Sequence, residues 1–564
     1  MIGLRYNSEF LDVDPTASLS WELNNLVFSN SDSSKLPGSF SFPFTLPATP
    51  RNRELLNYPD RIDNTESFLI EGEVSICFNG LVVFPGTMKV TEASVNDIKV
   101  YIIANPLSSV KTTPLNELDL DGDRTFADEA AVLAHAKATA LDPLDYDYVF
   151  FPIWNRDYLD DLSDNPRGRF QNWYNSTTGA FSVDHDHPAL MPFVRLDYIL
   201  DKIFSGTDYD FENRFQTTDE LRLIVLYNNK SLWTAEGLAT TINLQNHVSK
   251  TGSAAFVRKA MGAFCLGLFY NPWNKVLRLI PIQTLLDAPP RHDWTDKILH
   301  TPTVNSSDQQ PEILCWKRDD NDGAWAHYDK YQKPAAIDGE LLNSGLAAAA
   351  PGTYYVIDRH SYYLKNSIPR YFFKYTTLGC APQDTGKPAF EAELQPLWDG
   401  YLYGEGQTPV TDGNYVATPH CRIKGSVEYI YDEGGPDEEV RNQANDIPDR
   451  MTIYRGMYPD FDGDDYPFAS GLPWDTESNL IGEVSLRWDS QYSHYDTWWK
   501  GWHQMLLNGK NVTALLALSL ADILSFNFED KVRIQNQDFF VKKMRITLTP
   551  RGLAPVEVEL VSTV

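Results

Sequence analysis

Apolar and polar positions alternate with a period of two near both ends of the chain, while the stretch between them mixes helical and strand periods. From Glu71 the run Glu-Gly-Glu-Val-Ser-Ile-Cys-Phe meets Asn79-Gly80 and then Leu81-Val-Val-Phe. Asn-Gly between two such runs signals a two-residue type I′ hairpin, because both turn residues need positive φ. Pro85-Gly86 punctuates the second strand, and residues 98–103 add beside it, which predicts an antiparallel meander. Near the other end, Val532-Arg-Ile534, a turn at Asn536-Gln537, residues 539–548, a break at 550–552 and Val556-Glu-Val-Glu-Leu560 predict a second meander.

Between the meanders the periods change. Residues 126–140 are Ala-rich with Asp128 and Glu129 early, which favours a helix. Leu196, Ile199, Leu200, Ile203 and Phe204 fall on one helical face. Ser253 is a candidate cap for a helix burying Phe256, Val257, Ala260, Met261 and Phe264. Residues 221–227 read as a buried strand, and 264–270 with 275–282 as a hairpin around Asn271-Pro-Trp-Asn274. Residues 146–164 are loop-like, and 285–480 carry frequent Pro, Gly and Asp with isolated strands such as 354–358 and no fixed repeat. Tyr495, Trp498, Trp499, Trp502, Met505 and Leu506 then share a helical face that Asn508-Gly509 ends, and three tryptophans on one face require a large apolar partner. The expected fold is mainly β with α+β insertions, divided as 1–115 (N-terminal β module), 116–284 (mixed α/β), 285–480 (loop-rich insertion) and 481–564 (helix plus C-terminal meander).

With 564 residues the chain exceeds one core, and 42% apolar residues supply ample material for burial. Lys and Arg number 48 against 77 Asp and Glu, a net charge of -29 that opposes stable binding to nucleic acid or acidic membranes. Such charge is most simply a solvated surface, and it also suits the wall of a conduit along which DNA slides. The five scattered cysteines form no Cys-x-x-Cys and read as buried thiols. No apolar core marks residues 1–14 as a secretory signal and no 18-residue apolar run occurs, so synthesis in a cytoplasm without stable membrane insertion is expected.

The search for chemistry returns little. Phosphate-binding glycine loops, a His-Glu-x-x-His helix and a Gly-x-Ser-x-Gly elbow are absent from the sequence. Asp119-Leu-Asp121-Gly-Asp123 and Asp460-Phe-Asp462-Gly-Asp464-Asp465 have the density of calcium loops but lack Gly at the sixth and Glu at the twelfth position, and they read as acidic turns. Asp184-His185-Asp186-His187 has metal-ligand chemistry, yet Pro188 and its polar setting favour a surface loop. Carboxylates beside Trp and Tyr are compatible with a glycosidase cleft, although composition places no acid–base pair and clusters such as 154–158 and 173–174 suit cores or interfaces. No catalytic residue, cofactor or metal is assigned, and the expectation is a non-enzyme.

One segment carries more. After Trp21-Glu-Leu-Asn24, the stretch Ser39-Phe-Ser-Phe-Pro-Phe-Thr-Leu-Pro-Ala-Thr-Pro-Arg-Asn-Arg-Glu-Leu-Leu-Asn-Tyr-Pro-Asp60 resembles the N-terminal region of tail hub proteins from phages and prophages of Bacteroidetes-type bacteria. The meander from Glu71, residues 193–204, Asp219-Glu-Leu-Arg-Leu-Ile-Val-Leu-Tyr-Asn-Asn229, Asn246-His-Val248 with the helix after it, and residues 523–560 extend the resemblance. Residues 285–480 do not map onto it.

The resemblance implies two tail-tube-like β-barrel hub modules built from the N-terminal and C-terminal regions, in a homotrimer at the tail tip of a virion. It also implies a structural role: closing the tube, holding distal tail or tube protein, tape measure protein and spike or tail fibres, and opening for genome ejection while DNA passes without specific binding. The residues themselves suggest how the segment takes part. Pro43, Pro47, Pro50 and Pro59 favour an extended arm, on which Phe40, Phe42 and Phe44 fill one face of a groove while Arg51 and Arg53 sit at its polar end. An arm packed on its own domain is the alternative. Trp498, Trp499 and Trp502 are candidates for a subunit interface or an internal helix dock. Rival roles are a tail-associated receptor- or carbohydrate-binding protein, and a virion-borne polysaccharide-degrading enzyme.

Overall fold

Alternating strands from the two ends of the chain meet in one fifteen-stranded sheet. The computed structural model describes residues 2–563 except 29–38, 65–70, 105–112, 159–169, 184–188, 307–312, 324–337, 357–360, 366–371, 376–388, 401–417, 432–437, 443–445, 476–478, 489–491 and positions 156, 235, 272, 318, 320, 343, 344, 346, 347, 351, 426, 461 and 462. The main path of the sheet runs Glu9–Leu11, Ile2–Tyr6, Glu71–Phe78, Leu81–Ala93, Asp97–Ala104, Ser39–Ser41, Leu19–Asn24, Gln537–Thr549, Val556–Ser562, Lys510–Leu516, Thr303–Ser306. The two outermost strands of that path do not pair with each other, so among the described residues the protein is mainly β without a closed barrel.

The seam between the two ends is antiparallel, with Leu19 opposite Leu548, Trp21 opposite Ile546 and Leu23 opposite Met544. All six side chains are buried, and each such burial contributes about 1.5–3 kcal/mol as an upper estimate. Alternation at Leu19, Trp21 and Leu23 therefore fixes the register, since a one-residue slip would turn them to solvent. The predicted hairpin forms, with Asn79 at φ 49° and Gly80 at φ 85° and Phe78 paired with Leu81. At the other end the turn lies one residue earlier than predicted. Ile534 pairs with Gln537 and Gln535 takes φ 57°, leaving Gln535-Asn536 as the turn.

A second core fills the middle of the protein. Helix Glu129–Leu141 is capped by Asp128, whose carboxylate accepts from the Ala131 N–H. Helix Leu196–Ser205 buries Leu196, Ile199, Leu200, Ile203 and Phe204, as the spacing predicts. Two expectations change. Gly252, not Ser253, is the N-cap of helix Ser253–Phe264, because the Ser253 hydroxyl donates to the Thr113 carbonyl at 2.7 Å instead. The strand expected at 221–227 is shortened to Ile224–Leu226, since Thr218 caps a helical turn at Asp219–Arg222. The hairpin after the third helix forms from Leu266–Asn271 and Val276–Pro281.

Described parts of 285–480 are woven into this middle core. Arg450–Pro459 pairs with Ile224–Leu226, Gln395–Pro396 and Asp465–Ala469, and Leu314, Trp316, Leu394, Trp398, Met451 and Ile453 are buried in it. The tryptophan helix, a π-helical turn Tyr495–Trp499 continued by Lys500–Asn508, also docks on the middle core, whereas the strands after it join the terminal sheet. Cys77, Cys265 and Cys421 are buried thiols. Cys315 is disulfide-bonded, which corrects the expectation of five thiols, because pairing between distant cysteines leaves no trace in spacing. No helix of the described residues is long and apolar enough to cross a membrane.

Candidate assembly surface

Segment 39–60 is not an extended arm but two strands and a helix inside the terminal sheet. Ser39–Ser41 lies between Leu19–Asn24 and Asp97–Ala104, and Phe44–Pro47 pairs with Asp97–Ala104. Thr49 caps helix Pro50–Leu55, with Pro50 in the first turn, where its missing N–H costs nothing. The prolines thus terminate elements, and the remaining backbone donors find partners at home, as when the Phe42 N–H donates to the Ser20 carbonyl at 2.9 Å.

The two arginines are likewise engaged within the chain. Arg51 donates to the Phe10 carbonyl at 2.8 Å and sits 3.4 Å from Glu9. Arg53 donates to the Val95 carbonyl at 2.5 Å and pairs with Asp60 at 3.3 Å.

Which way the phenylalanines face is decided by the serines between them. Ser39 and Ser41 point inward, each 1% exposed. The Ser41 hydroxyl accepts from the Ile102 N–H at 2.7 Å, while Ser39 accepts from the Asn24 N–H at 3.2 Å and from the Tyr270 hydroxyl at 2.9 Å. A buried backbone N–H must be met, so hydroxyls occupy the inner positions and strand alternation sends Phe40 outward. Phe40 is 37% exposed, and its ring meets Phe42 edge-on at 5.8 Å. The Arg545 guanidinium lies 4.6 Å over the Phe42 ring. Ile103, Phe40, Glu22, Arg545 and Glu557 follow one another across five neighbouring strands, so this face draws on both ends of the chain. Phe44 does not share it: half-buried, it packs on the terminal core.

Other apolar side chains on the terminal sheet are exposed, with Phe10 at 51%, Leu81 at 57% and Val304 at 58%, as is Val95 at 74% in the turn between Leu81–Ala93 and Asp97–Ala104. Val304 belongs to the outermost strand Thr303–Ser306, where Thr303, Val304 and Asn305 are all exposed. Among the described residues no strand pairs on its outer side, and a free sheet edge invites pairing.

The tryptophans form an internal dock. Trp498 and Trp499 are 6% and 8% exposed. Trp499 donates its indole N–H to the Ala263 carbonyl at 3.3 Å, Trp498 packs on Phe215 and Phe264, and Trp502 meets Phe28 at 5.4 Å. Of the two roles open to them, the helix dock is the one observed within the chain.

The remaining sequence candidates offer no reactive centre. Residues 184–188, with the Asp-His-Asp-His cluster, lie outside the described residues, as do 461 and 462. Asp121 is engaged by the Lys202 ammonium and by the Tyr198 hydroxyl at 3.1 Å, and the Lys202 hydrogen bond holds its carboxyl below the usual range. Asp460 accepts from Ser176 at 2.5 Å and from the Asp464 N–H at 3.0 Å. Among the described residues no group of three His, Cys, Asp or Glu is placed to hold a metal. Trp154 and Trp173 both meet Phe170 edge-on, and Trp173 and Tyr174 are buried, as in a core. Sequence reading missed Ser39, Ser41 and Arg545; the Ser-x-Ser alternation was the available signal, but hydroxyl burial depends on neighbours far away in the chain.

No protein-family model matches the sequence, and no curated protein sequence does. Solved structures with an overall likeness are a 43 kDa tail protein of prophage MuSo2 from Shewanella oneidensis (7% identity, TM-score 0.34, 99% of this chain and 95% of that one) and a tail protein from Neisseria meningitidis MC58 (7%, 0.33, 99% and 95%). A third is prophage tail protein gp18 from Listeria monocytogenes EGD-e (8%, 0.28, 99% and 94%). Overlap this loose transfers neither fold nor role to the chain.

Proposed function

We propose that the chain is a structural component of a bacteriophage tail, the hub at its distal end, and that the outward face around Phe40 and Phe42 is covered by another subunit. The observation carrying this reading is the strand Ser39–Ser41, which buries serines and presents phenylalanine to solvent. A monomer gains nothing from that orientation beyond meeting two backbone donors, whereas aromatic side chains flanked by an arginine are the residue types enriched at interface centres. The exposed edge Thr303–Ser306 and the seam that unites both chain ends in one sheet suit a ring built from repeated copies. A net charge of -29 suits a wall past which DNA slides. In this reading copies of the chain form a trimer with barrel-like modules matched to the tail tube, hold tape measure protein and spike or fibres, and rearrange when the tail meets its host.

Electron microscopy of the purified protein and of particles is the test, combined with sedimentation of Phe40→Ser/Phe42→Ser. A ring with a central channel at the tail tip, lost in a double variant that still folds, is expected. A peripheral fibre position, or unchanged assembly of the variant, overturns the reading.

A further inference from the structure

The chain holds two Asn-Gly dipeptides, Asn79-Gly80 and Asn508-Gly509. Glycine leaves its own amide nitrogen unshielded, because no Cβ stands beside it, so an asparagine side chain just before it has a nucleophile within reach. The residues preceding the pairs, Phe78 and Leu507, are both bulky and apolar. The two sites share this chemistry, and the fold treats them in opposite ways.

Asn79 and Gly80 form the two-residue turn between Glu71–Phe78 and Leu81–Ala93, and both are exposed. The ladder closes with Phe78 opposite Leu81, so the bond across the turn engages the N–H of Leu81 and leaves that of Gly80 outside the ladder. A Cβ added at Gly80 would meet nothing within 4 Å, so solvent reaches this stretch of backbone. Asn79 stands at φ 49°, in the left-handed region that disfavours a residue with a Cβ, and a momentary opening of the turn relieves it.

Asn508-Gly509 stands at the other extreme. Asn508 ends helix Lys500–Asn508, and the Gly509 N–H donates to the Met505 carbonyl at 2.7 Å. Gly509 is buried, and a Cβ there would collide with the Met505 oxygen and lie 3.1 Å from that of Ser562. The next residue is tied as well, the Lys510 N–H donating to the Ser562 hydroxyl at 2.9 Å. A nitrogen bonded and enclosed in this way cannot turn toward the preceding side chain until the helix end unravels.

We infer that Asn79 is a site of spontaneous modification, converting to aspartate and isoaspartate with water as co-reactant, and that the fold protects Asn508 from the same reaction. The deprotonated Gly80 nitrogen attacks Asn79 Cγ. As the new N–C bond forms, the carboxamide C–N bond breaks and ammonia leaves, giving a five-membered succinimide. Water then opens the ring: attack at the side-chain carbonyl gives aspartate, and attack at the main-chain carbonyl gives isoaspartate, whose backbone is one methylene longer. Nothing is oxidised or reduced. Either product places a carboxylate at the tip of the hairpin. Aspartate before glycine still suits a type I′ turn, whereas the longer isoaspartate backbone no longer fits a two-residue loop that sets Phe78 opposite Leu81. The inference does not depend on the hub reading.

The test keeps full-length protein at pH 6 and pH 8.5 for several weeks, with a parallel sample in urea, and follows both positions by digestion and mass spectrometry. Electron-transfer fragmentation tells isoaspartate from aspartate. In the folded protein Asn79 should convert faster at the higher pH, where more of the Gly80 amide is deprotonated. It should also outpace Asn508 at least about tenfold, the scale of one hydrogen bond that must open. In urea the two positions should converge. Absence of conversion at Asn79 in the folded protein, conversion of Asn508 at an equal or higher rate, or a difference that persists in urea overturns the inference.

Discussion

Lowering the pH should loosen the tryptophan dock through a single side chain. His494 is wholly buried, with Nε2 2.6 Å from the Ala263 carbonyl and Nδ1 3.1 Å from that of Ser485. Burial, the largest influence, pushes its imidazole down to about 4 from the ordinary 6.5. A base with a depressed folded pKa is protonated first in the unfolded chain, so its contribution is complete above pH 6.5 and drains away as the pH falls toward 4. At 1.36 kcal/mol per unit, the loss is about 2 kcal/mol by pH 5. Urea unfolding of the wild type and of His494→Gln at pH 7.5, 6 and 5 measures it. The variant starts less stable, and the gap between the two should narrow by about 2 kcal/mol on going to pH 5. Subtracting one curve from the other removes the carboxylates and His247, which burial likewise pushes down, to about 3. Parallel curves would show that His494 does not titrate as its burial demands.

Three further outcomes are expected. Ser41→Ala leaves the Ile102 N–H unmet and should cost about 1–3 kcal/mol, while Phe40→Ser beside it should leave the urea midpoint nearly unchanged and affect only assembly. Gly86→Ala would place a Cβ 2.6 Å from the Ile103 carbonyl oxygen, and since that is backbone the melting curve should report a loss of about 1–3 kcal/mol. Trp21→Ala removes a fully buried ring that stacks on Phe84 at 5.8 Å and should cost about 3–5 kcal/mol by chemical denaturation, with the terminal sheet melting first in hydrogen exchange.

Local signals were legible and long-range ones were not. Asn79-Gly80 announces its hairpin because a type I′ turn is decided by two residues, and Leu196 to Phe204 announce a helix because spacing alone defines the buried face. The 39–60 segment misled because its prolines suit an arm and also suit the ends of short elements, and only the partners at Leu19–Asn24 and Asp97–Ala104 decide between them. The inward serines were hidden for the same reason. The cleft of about 650 Å³ lined by Asn229, Lys259, Lys317, Gln395 and Arg450 was illegible in principle, since tertiary pairing brings these residues together with no common motif.

The seam between Leu19–Asn24 and Gln537–Thr549 also sets an order of events during synthesis. The hydroxyls of Ser20 and Thr547 touch at 2.9 Å across 527 residues of chain. At about 5–20 residues per second, the first strand waits roughly half a minute to two minutes for this partner, with only the early neighbours Ser39–Ser41 and Phe84 beside Trp21. Arg545, which caps the Phe42 ring, arrives with that late strand. A chain cut short anywhere before it would therefore lack both the seam and the finished outer face.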